Sequence, residues 1–301
     1  MRHTPVLLKE VIDGLNLQTG DNAIDCTLGD GGQAEEILRV IAPSGQLLGI
    51  DADATGLLEA KRYLYQYENR LITARANFRD LKKVIQDNKF KKIKAILFDL
   101  GWSSPQFMER GRGFSFLKND EPLDMRFYAL EGQTIDDLTA EKIINAYSEK
   151  ELDKLFHRYG QIKNSAGLAR SIIQARTRKS VKTTGQLVKI ILDTAGFSRR
   201  PGQKIHPATQ VFQALRIEVN NGLEVLKQAL PQAVETLEIG GRLAVISFHS
   251  LEDRIVKQFF VQQAMAGEIK LITKKPIMAG EKELLANPRA RSAKLRVVEK
   301  I

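Results

Sequence analysis

The sequence predicts a mixed α/β fold in which a doubly wound parallel sheet is interrupted by an inserted all-helical domain. Short apolar runs alternate with helical patterns over residues 1–100, and a strand pattern returns after residue 240. Such alternation is typical of a parallel sheet that helices cover on both faces. A chain of 301 residues is also long enough for about two domains. The predicted boundaries are 1–107 and 206–301 for the two parts of the α/β domain and 108–205 for the insertion.

Four apolar runs in the first third of the chain predict strands, because turn residues and a helical pattern follow them. The runs cover residues 23–27, 46–50, 71–74 and 95–100, and helices are expected from about residues 33, 55 and 81. A fifth strand is predicted over 242–248, with helices over 210–226 and 251–260 on either side. The helical part is therefore predicted to be inserted into one α/β domain.

Helical spacing of apolar residues marks the stretch 139–195, which predicts a small helical domain. Ser148 followed by Glu151 fits a capping box at the start of a helix. Gly160 and Gly196 stand where helices are expected to stop.

The composition is that of a soluble globular protein, with 43% hydrophobic and 27% charged residues. No uncharged run approaches the ~20 apolar residues that a membrane span needs, and the first residues lack a secretory apolar stretch. A cytoplasmic protein is therefore expected. The single cysteine excludes an internal disulfide, and the four scattered histidines give no zinc spacing, so no metal is expected.

The net charge of +10 is concentrated in the predicted insertion. Residues 154–204 contain twelve Lys and Arg residues but one acidic residue, Asp193, and residues 270–300 contain nine basic and three acidic residues. A basic run is often only the solvated face of a helix. A stretch with so few acids instead favours a polyanionic partner, and nucleic acid in particular.

A glycine turn follows the first predicted strand and opens a helix. Gly29, Gly31 and Ala34 fit the dinucleotide fingerprint, and Asp51 ends the next strand twenty residues beyond Gly31. Glycines let the backbone approach a ligand closely, and an acid at Asp51 could bind ribose hydroxyls. The pattern fits nicotinamide enzymes and S-adenosylmethionine enzymes alike. In a purely structural alternative, the glycines only turn the chain and Asp51 caps the following helix.

The fourth predicted strand ends in Asp99 and runs into a tight polar loop. Ligands of doubly wound sheets bind at the carboxyl ends of the strands. Asp99 and the hydroxyls of Ser103 and Ser104 could accept the N–H protons of an exocyclic amine and turn its lone pair toward an activated methyl group. Positioning could then supply most of the rate. Alternatively, Asp99 only fixes the loop and the serines belong to a turn.

Seven sequence strings, spread over nearly the whole chain, are longer and more specific than the glycine turn. They are HTPVLLKEV from His3, DLGWSSPQ from Asp99, RGFSF…PLDMR from Arg112, HPAT from His206, FQALRI from Phe212, ISFHSLEDR from Ile246 and NPRARS from Asn287. The strings resemble the S-adenosylmethionine-dependent small-subunit rRNA cytosine-N4 methyltransferases, the family called RsmH or MraW. The resemblance implies a class I (Rossmann-like) methyltransferase sheet with an all-helical insertion. It also implies methylation of N4 of a cytosine in the decoding centre of 16S rRNA, within the small ribosomal subunit.

The resemblance implies that the cofactor, S-adenosyl-L-methionine, contacts the glycine turn, the strand ends and the loop after the fourth strand. These residues are Gly31, Gly32, Gln33, Asp51, Phe78, Asp99 and Gln106. Together with the amine chemistry, it makes Asp99 and Ser103 the candidate catalytic residues. The basic insertion supplies the candidate RNA-binding residues Arg176, Arg178, Lys179, Arg199, Arg200 and Lys204. Similar sequences usually have His, Val and Arg where this chain has Gln33, Trp102 and Gln210.

Other residues in the strings have competing interpretations. Ser250 with Asp253 fits a helix-capping box, and His249 could face a substrate or be structural. Arg110, Arg112 and Arg126 could hold phosphates, or nearby acids such as Asp124 could pair with them.

Two further functions stay open on the sequence. The glycine turn alone would also suit a nicotinamide-dependent oxidoreductase, although no acid-base pair for hydride transfer is evident. The basic insertion would suit a ribosome-assembly factor that binds RNA without catalysis.

Overall fold

The computed structural model describes residues 5–101, 111–127, 138–197 and 206–301. It divides into two compact units, the first formed by residues 1–104 with 223–301 and the second by residues 105–222. Some predicted site residues lie outside the described residues: Ser103, Gln106, Arg199, Arg200 and Lys204.

Within the described residues, the first unit is built on a seven-stranded sheet with the order β3-β2-β1-β4-β5-β7-β6. The strands are β1 (Asn22–Asp25), β2 (Leu47–Asp51), β3 (Leu71–Arg75), β4 (Ile93–Asp99), β5 (Arg242–Ser247), β6 (Ile269–Leu271) and β7 (Lys294–Lys300). Strands β1 to β5 are parallel, and β7 runs antiparallel to both β5 and β6. The predicted α/β class is confirmed.

Helices follow the strands and also build the second unit. In chain order they are α1 (Leu8–Leu15), α2 (Gly32–Val40), α3 (Ala54–Tyr63), α4 (Leu81–Asp87), α5 (Ala140–Ala146), α6 (Glu149–Gly160), α7 (Ser165–Arg178), α8 (Thr184–Asp193), α9 (Ala208–Asn220), α10 (Gly222–Thr236), α11 (Ser250–Met265) and α12 (Glu281–Ala286). Short 3₁₀ turns cover Tyr65–Tyr67, Phe78–Asp80 and Pro288–Ser292. In the described ranges, no helix is both long and apolar enough to cross a membrane.

Alternate residues of the parallel strands face two separate apolar layers. On β1, Ala23 packs in the layer that contains α1, α2 and α3, whereas Ile24 packs in the layer that contains α4, α10 and α11. Leu97 and Phe98 of β4 divide between the same two layers. Burial on both faces explains why these strands are almost uninterrupted apolar runs, which made them recognisable from sequence.

Strands β6 and β7 were not predicted, because charged residues interrupt their apolar runs. Arg296 in the middle of β7 is only 7% exposed. Its Nε donates to Oδ1 of Asp253 on α11 at 2.7 Å, so the charge is neutralised inside the unit. The predicted single helix over 210–226 is also wrong: Asn221, in the left-handed conformation with φ of 49°, separates α9 from α10.

The second unit has an apolar core of its own, to which helices α5 to α9 contribute. The capping box of Ser148 and Glu151 is confirmed at the start of α6. The unit extends to residue 222, whereas the sequence placed the end of the insertion at 205. Helix α9 belongs here because Val211 and Phe212 are buried in the same core as Phe156 of α6.

Candidate active site

Three neighbouring strands of the first unit end in aspartates. Strands β2, β1 and β4 are adjacent and parallel, and they end at Asp51, Asp25 and Asp99. In doubly wound sheets, ligands bind at the carboxyl edge of the strands. Asp51 and Asp99 were predicted as site residues, whereas Asp25 was not.

The glycine turn after β1 places the start of α2 at this edge. Gly29 and Gly31 have φ angles of 52° and 84°, in the left-handed region that glycine adopts most easily. A Cβ added to Gly29 would meet no closer described atom than the Thr27 carbonyl oxygen, at 3.8 Å. Gly29 therefore leaves room for a ligand beside the amino end of α2, where backbone N–H groups favour polar and anionic groups.

The next two residues of the turn contact the N-terminal segment. A Cβ added to Gly32 would lie 2.7 Å from Cγ of Pro5, so only glycine fits under that ring. The Gln33 side chain is buried and its Nε2 donates to the carbonyl of Val6 at 2.8 Å. The backbone N–H of Leu7 donates to Oε1 of Glu283 on α12 at 2.7 Å. The amide nitrogen of Gln33 thus takes part in holding the segment 5–7 across the turn.

Asp51 orients the glycine turn and does not cap α3. Its Oδ2 accepts the Gly29 N–H and its Oδ1 accepts the Asp53 N–H, both at 2.8 Å. The cap of α3 is Asp53, whose Oδ2 accepts the Gly56 N–H at 2.8 Å. The structural alternative for Asp51, a helix cap, is therefore wrong. A carboxylate can accept several hydrogen bonds at once, so these two bonds are compatible with a role in binding ribose hydroxyls.

Phe78 follows β3 and packs against the apolar layer that contains Phe98. Its ring packs edge-to-face on Phe98 of β4, with centroids 5.4 Å apart and planes at 83°. Asn77 caps the 3₁₀ turn by accepting the Arg79 N–H at 3.0 Å. The ring is therefore held in place and partly exposed, which suits a flat apolar ligand surface such as a purine.

Thr27 links the ends of β1 and β4, which sequence reasoning missed. The backbone N–H of Asp99 donates to Thr27 Oγ1 at 2.8 Å, and that hydroxyl donates to Oδ1 of Asp25 at 3.2 Å. The backbone N–H of Thr27 donates to the same Asp25 oxygen at 3.0 Å. The aspartate before the turn was visible in the sequence, but its link to the fourth strand was not.

Burial changes the acid strength of both carboxyls. It raises the pKa of Asp25 to about 7, with the Thr27 hydrogen bonds opposing and the charge of Asp51 adding to the rise. Burial likewise raises the pKa of Asp99 to about 7; the Gly101 hydrogen bond opposes this, and the charges of Asp25, Glu252 and Asp30 reinforce it. Two carboxyls that titrate near neutral pH suit the binding of a cation or the acceptance of a proton.

His249 caps a helix at the end of β5. Its Nδ1 accepts the Glu252 N–H at 3.3 Å, and Oε2 of Glu252 accepts the backbone N–H of His249 at 3.2 Å. The predicted capping box of Ser250 and Asp253 is therefore wrong by one position. Asp253 instead pairs with Arg296, and its pKa is lowered because this arginine and Lys294 outweigh the effect of burial.

Arg112 and Arg126 make intramolecular bonds in the second unit. Nε and Nη2 of Arg126 donate to the two carboxylate oxygens of Asp124, each at 2.8 Å. Nη1 of Arg112 donates to the carbonyls of Arg126 and Phe127 at 3.3 and 3.2 Å. Of the two interpretations of Arg126, pairing with a nearby acid is the one observed.

The described candidates for RNA binding lie at the end of α7. Arg178 and Lys179 are exposed, whereas Arg176 is partly buried and its Nη1 donates to the carbonyl of Ile144 at 2.8 Å. Arg176 thus has a structural role in this unit. Among the described residues, no group of three or more His, Cys, Asp and Glu side chains could hold a metal ion.

Comparison with known proteins decides between the cofactor classes that the glycine turn left open. The model of the MraW methylase family matches residues 1–301, the whole chain. The chain belongs to the MraW methylase family. The family resemblance of the seven strings is thereby confirmed, and the oxidoreductase hypothesis is replaced.

Close relatives of this MraW family member come from different bacteria. A protein of Thermomicrobium roseum named "Ribosomal RNA small subunit methyltransferase H" is 44% identical over 99% of this chain and 94% of the relative. A protein of the same name from Clostridium botulinum is 42% identical over 100% of this chain and 99% of the relative. A solved rRNA methylase from Streptococcus thermophilus aligns with a TM-score of 0.43 and 10% identity, covering 98% of this chain and 92% of that one.

Proposed function

We infer that this MraW family member is an S-adenosyl-L-methionine-dependent methyltransferase of small-subunit ribosomal RNA. More specifically, the target is N4 of a cytosine in the decoding centre of 16S rRNA. The observation that carries the proposal is the edge where β2, β1 and β4 end, with three aspartates beside the glycine turn, in which Gly29 leaves open space. S-adenosyl-L-methionine, when bound, supplies an activated methyl group on a cationic sulfur, and clustered carboxylates favour a cation.

The donor-binding residues each have a physical task. Asp51 accepts the ribose hydroxyls while it holds Gly29, and the fixed ring of Phe78 packs against the adenine. The backbone of Gly31 and the start of α2 line the methionine end. Gln106, which lies outside the described residues, is assigned to the donor by the family resemblance alone. Gln33 contributes through the segment 5–7 that its side chain holds.

Asp99 is the group that meets the substrate amine. The lone pair of an exocyclic amine is delocalised into the base, so an acceptor must hold an N–H proton and turn the nitrogen toward the methyl group. Oδ1 of Asp99 accepts the Gly101 N–H at 3.1 Å, and no described residue donates to Oδ2. Oδ2 is therefore suited to accept a hydrogen bond from the amine N–H. The Ser103 hydroxyl is proposed as a second acceptor. In-line positioning of this kind can supply on the order of 7–11 kcal/mol.

The helical unit grips the RNA backbone through exposed basic residues. Arg178 and Lys179 carry this role among the described residues. Arg199, Arg200 and Lys204, which lie outside the described residues, are proposed as further contacts from their charge alone. The cytosine must be reached outside a stacked helix, so it is bound single-stranded or flipped out. Replacing Arg178 and Lys179 by Ala should make the slope of log affinity against log salt shallower by about 0.7 for each phosphate that is no longer neutralised. Lys61 and Arg62, an exposed pair on α3, provide the matched control.

The deciding experiment supplies labelled donor, the protein, and 16S rRNA that lacks the modification, either free or in small-subunit particles. After digestion to nucleosides, the label should be found in N4-methylcytidine from the decoding centre. Label on another atom would overturn the cytosine-N4 proposal, and no label in any assembly state would overturn the function itself. Asp99→Ala should reduce transfer by about 100-fold or more while RNA binding is kept. An assembly factor without catalysis would show no transfer even in the wild type.

A further inference from the structure

We propose that Thr27 is a positioning residue for methyl transfer, whose hydroxyl joins the end of β4 to the Asp25 carboxylate and so fixes where Asp99 presents its second carboxylate oxygen. The inference rests on the proposed function and deepens it at the same site. It concerns a side chain that lies in the glycine turn itself but was not among the residues predicted to bind donor or substrate.

The direction of the two hydrogen bonds is set by the groups that take part. The backbone N–H of Asp99 can only donate, so Thr27 Oγ1 is its acceptor, at 2.8 Å. The hydroxyl proton then points to the remaining acceptor, Oδ1 of Asp25, at 3.2 Å. The Thr27 N–H donates to that same oxygen at 3.0 Å, which holds the carboxylate in place. The result is a chain of bonds from the buried Asp25 through Thr27 to the backbone of Asp99.

This chain acts on the reacting end of Asp99. The Asp99 side chain is held at Oδ1 by the Gly101 N–H, and its backbone is held by Thr27. With both attachments made, Oδ2 has one position relative to the glycine turn, which is where the donor binds. Removal of the Thr27 hydroxyl releases the Asp99 N–H and lets the strand end shift. A shift of about 1 Å at a reacting group is enough to cost roughly 100-fold in rate.

The test compares two substitutions of nearly equal size. Thr27→Val keeps the branched shape without the hydroxyl, and Thr27→Ser keeps the hydroxyl without the methyl group. For Thr27→Val we expect kcat on small-subunit particles to fall roughly 10- to 100-fold. The dissociation constant of S-adenosylhomocysteine, measured by calorimetry, and the KM for the particles should each change less than about 3-fold. Thr27→Ser should restore kcat to within about 3-fold of the wild type.

Thr236→Val is the matched control. Among the described residues, its hydroxyl donates to the carbonyls of Gln232 and Ala233 in its own helix, α10, so kcat should not change. If Thr27→Val does not fold, Thr27→Ala takes its place with the same expectation.

An unchanged kcat in Thr27→Val would overturn the inference. It would also be overturned if Thr27→Ser reduced activity as much as Thr27→Val, or if S-adenosylhomocysteine binding fell in parallel with kcat, because either result means a structural role only. Failure of the proposed function is separately visible, since the wild-type protein would then transfer no label in the same assay.

Discussion

The buried carboxyl of Asp25 should make the protein less stable as the pH rises toward 7. Asp25 is 1% exposed, and burial raises its pKa from 3.8 to about 7. Between these values the folded state keeps a proton that the unfolded state has released, so the free energy of unfolding falls with rising pH. Asp25→Asn removes this titration and keeps an acceptor oxygen for the two Thr27 donors.

The magnitude follows from the shift. At about 1.36 kcal/mol per pKa unit, a rise from 3.8 to about 7 disfavours the folded state by on the order of 4 kcal/mol once the pH exceeds 7. Part of this penalty, on the order of 2 kcal/mol, is already present at pH 5. The stability advantage of Asp25→Asn over the wild type should therefore grow by about 2–3 kcal/mol between pH 5 and pH 8.

Urea unfolding of both proteins without ligand at pH 5 and pH 8 measures this difference. Asp253→Asn is the control of opposite sign, because Arg296 and Lys294 lower the pKa of Asp253 and its ionised form stabilises the fold. The stabilisation by ionised Asp253 is complete above the pKa that this carboxyl has in the unfolded state. It is lost only as the pH falls through the lower pKa of the folded state, so Asp253→Asn should be destabilised at both pH 5 and pH 8. An Asp25→Asn protein that is less stable than the wild type by the same amount at pH 5 and pH 8 would refute the reasoning.

Three other results are expected. Gly101→Ala should reduce both methyl transfer and melting temperature, because a Cβ there would lie 2.7 Å from Cε2 of Phe248; unchanged kinetics would show that the loop moves freely. His249→Ala should lower unfolding free energy by about 0.5–2 kcal/mol through loss of the α11 cap, and His249→Asn should recover most of it; equal melting temperatures for the two variants would contradict the capping role. Binding of the cationic donor at pH 7 should release protons from the carboxyls of Asp25 and Asp99. The release is measured as a calorimetric heat that depends on the ionisation enthalpy of the buffer, and a heat independent of the buffer would argue against ionisation.

The structural features that were best predicted from the sequence are those that depend on local residue patterns. Strands β1, β2, β4 and β5 were recognisable because burial on both faces leaves almost uninterrupted apolar runs. The edge strand β3 has no fully buried residue and was recognised from its short apolar run alone. Asp51 and Asp99 follow directly from the ends of β2 and β4. Strand β7 was missed because its buried Arg296 is compensated by Asp253, a partner 43 positions away. The alternation of charged and apolar residues in β7 could be understood only with that partner in place.

Contacts between distant parts of the chain could not be predicted either, because each depends on a partner far away in the sequence. The bond between Asp99 and Thr27 joins residues 72 positions apart, and no spacing rule connects the turn after β1 with the end of β4. The helix cap at His249 shows that a sequence pattern can misplace the start of a helix by one residue. A Ser-x-x-Asp string fits the capping pattern, but the backbone enters the helix one residue earlier, and His-x-x-Glu makes the bonds.

The position of the helical unit in the chain has a consequence for folding. Strand β5 pairs directly with β4, with Ile246 opposite Asp99, yet the whole of residues 105–222 is made between them. Until β5 has been synthesised, β4 is an open edge with unpaired backbone groups. Joining the two strands closes a very long loop, and its entropic cost is smaller when the intervening residues are already compact. A substitution that unfolds the helical unit should therefore slow formation of the β4–β5 pair, so completion of the sheet edge at Asp99 depends on residues that form no part of the sheet.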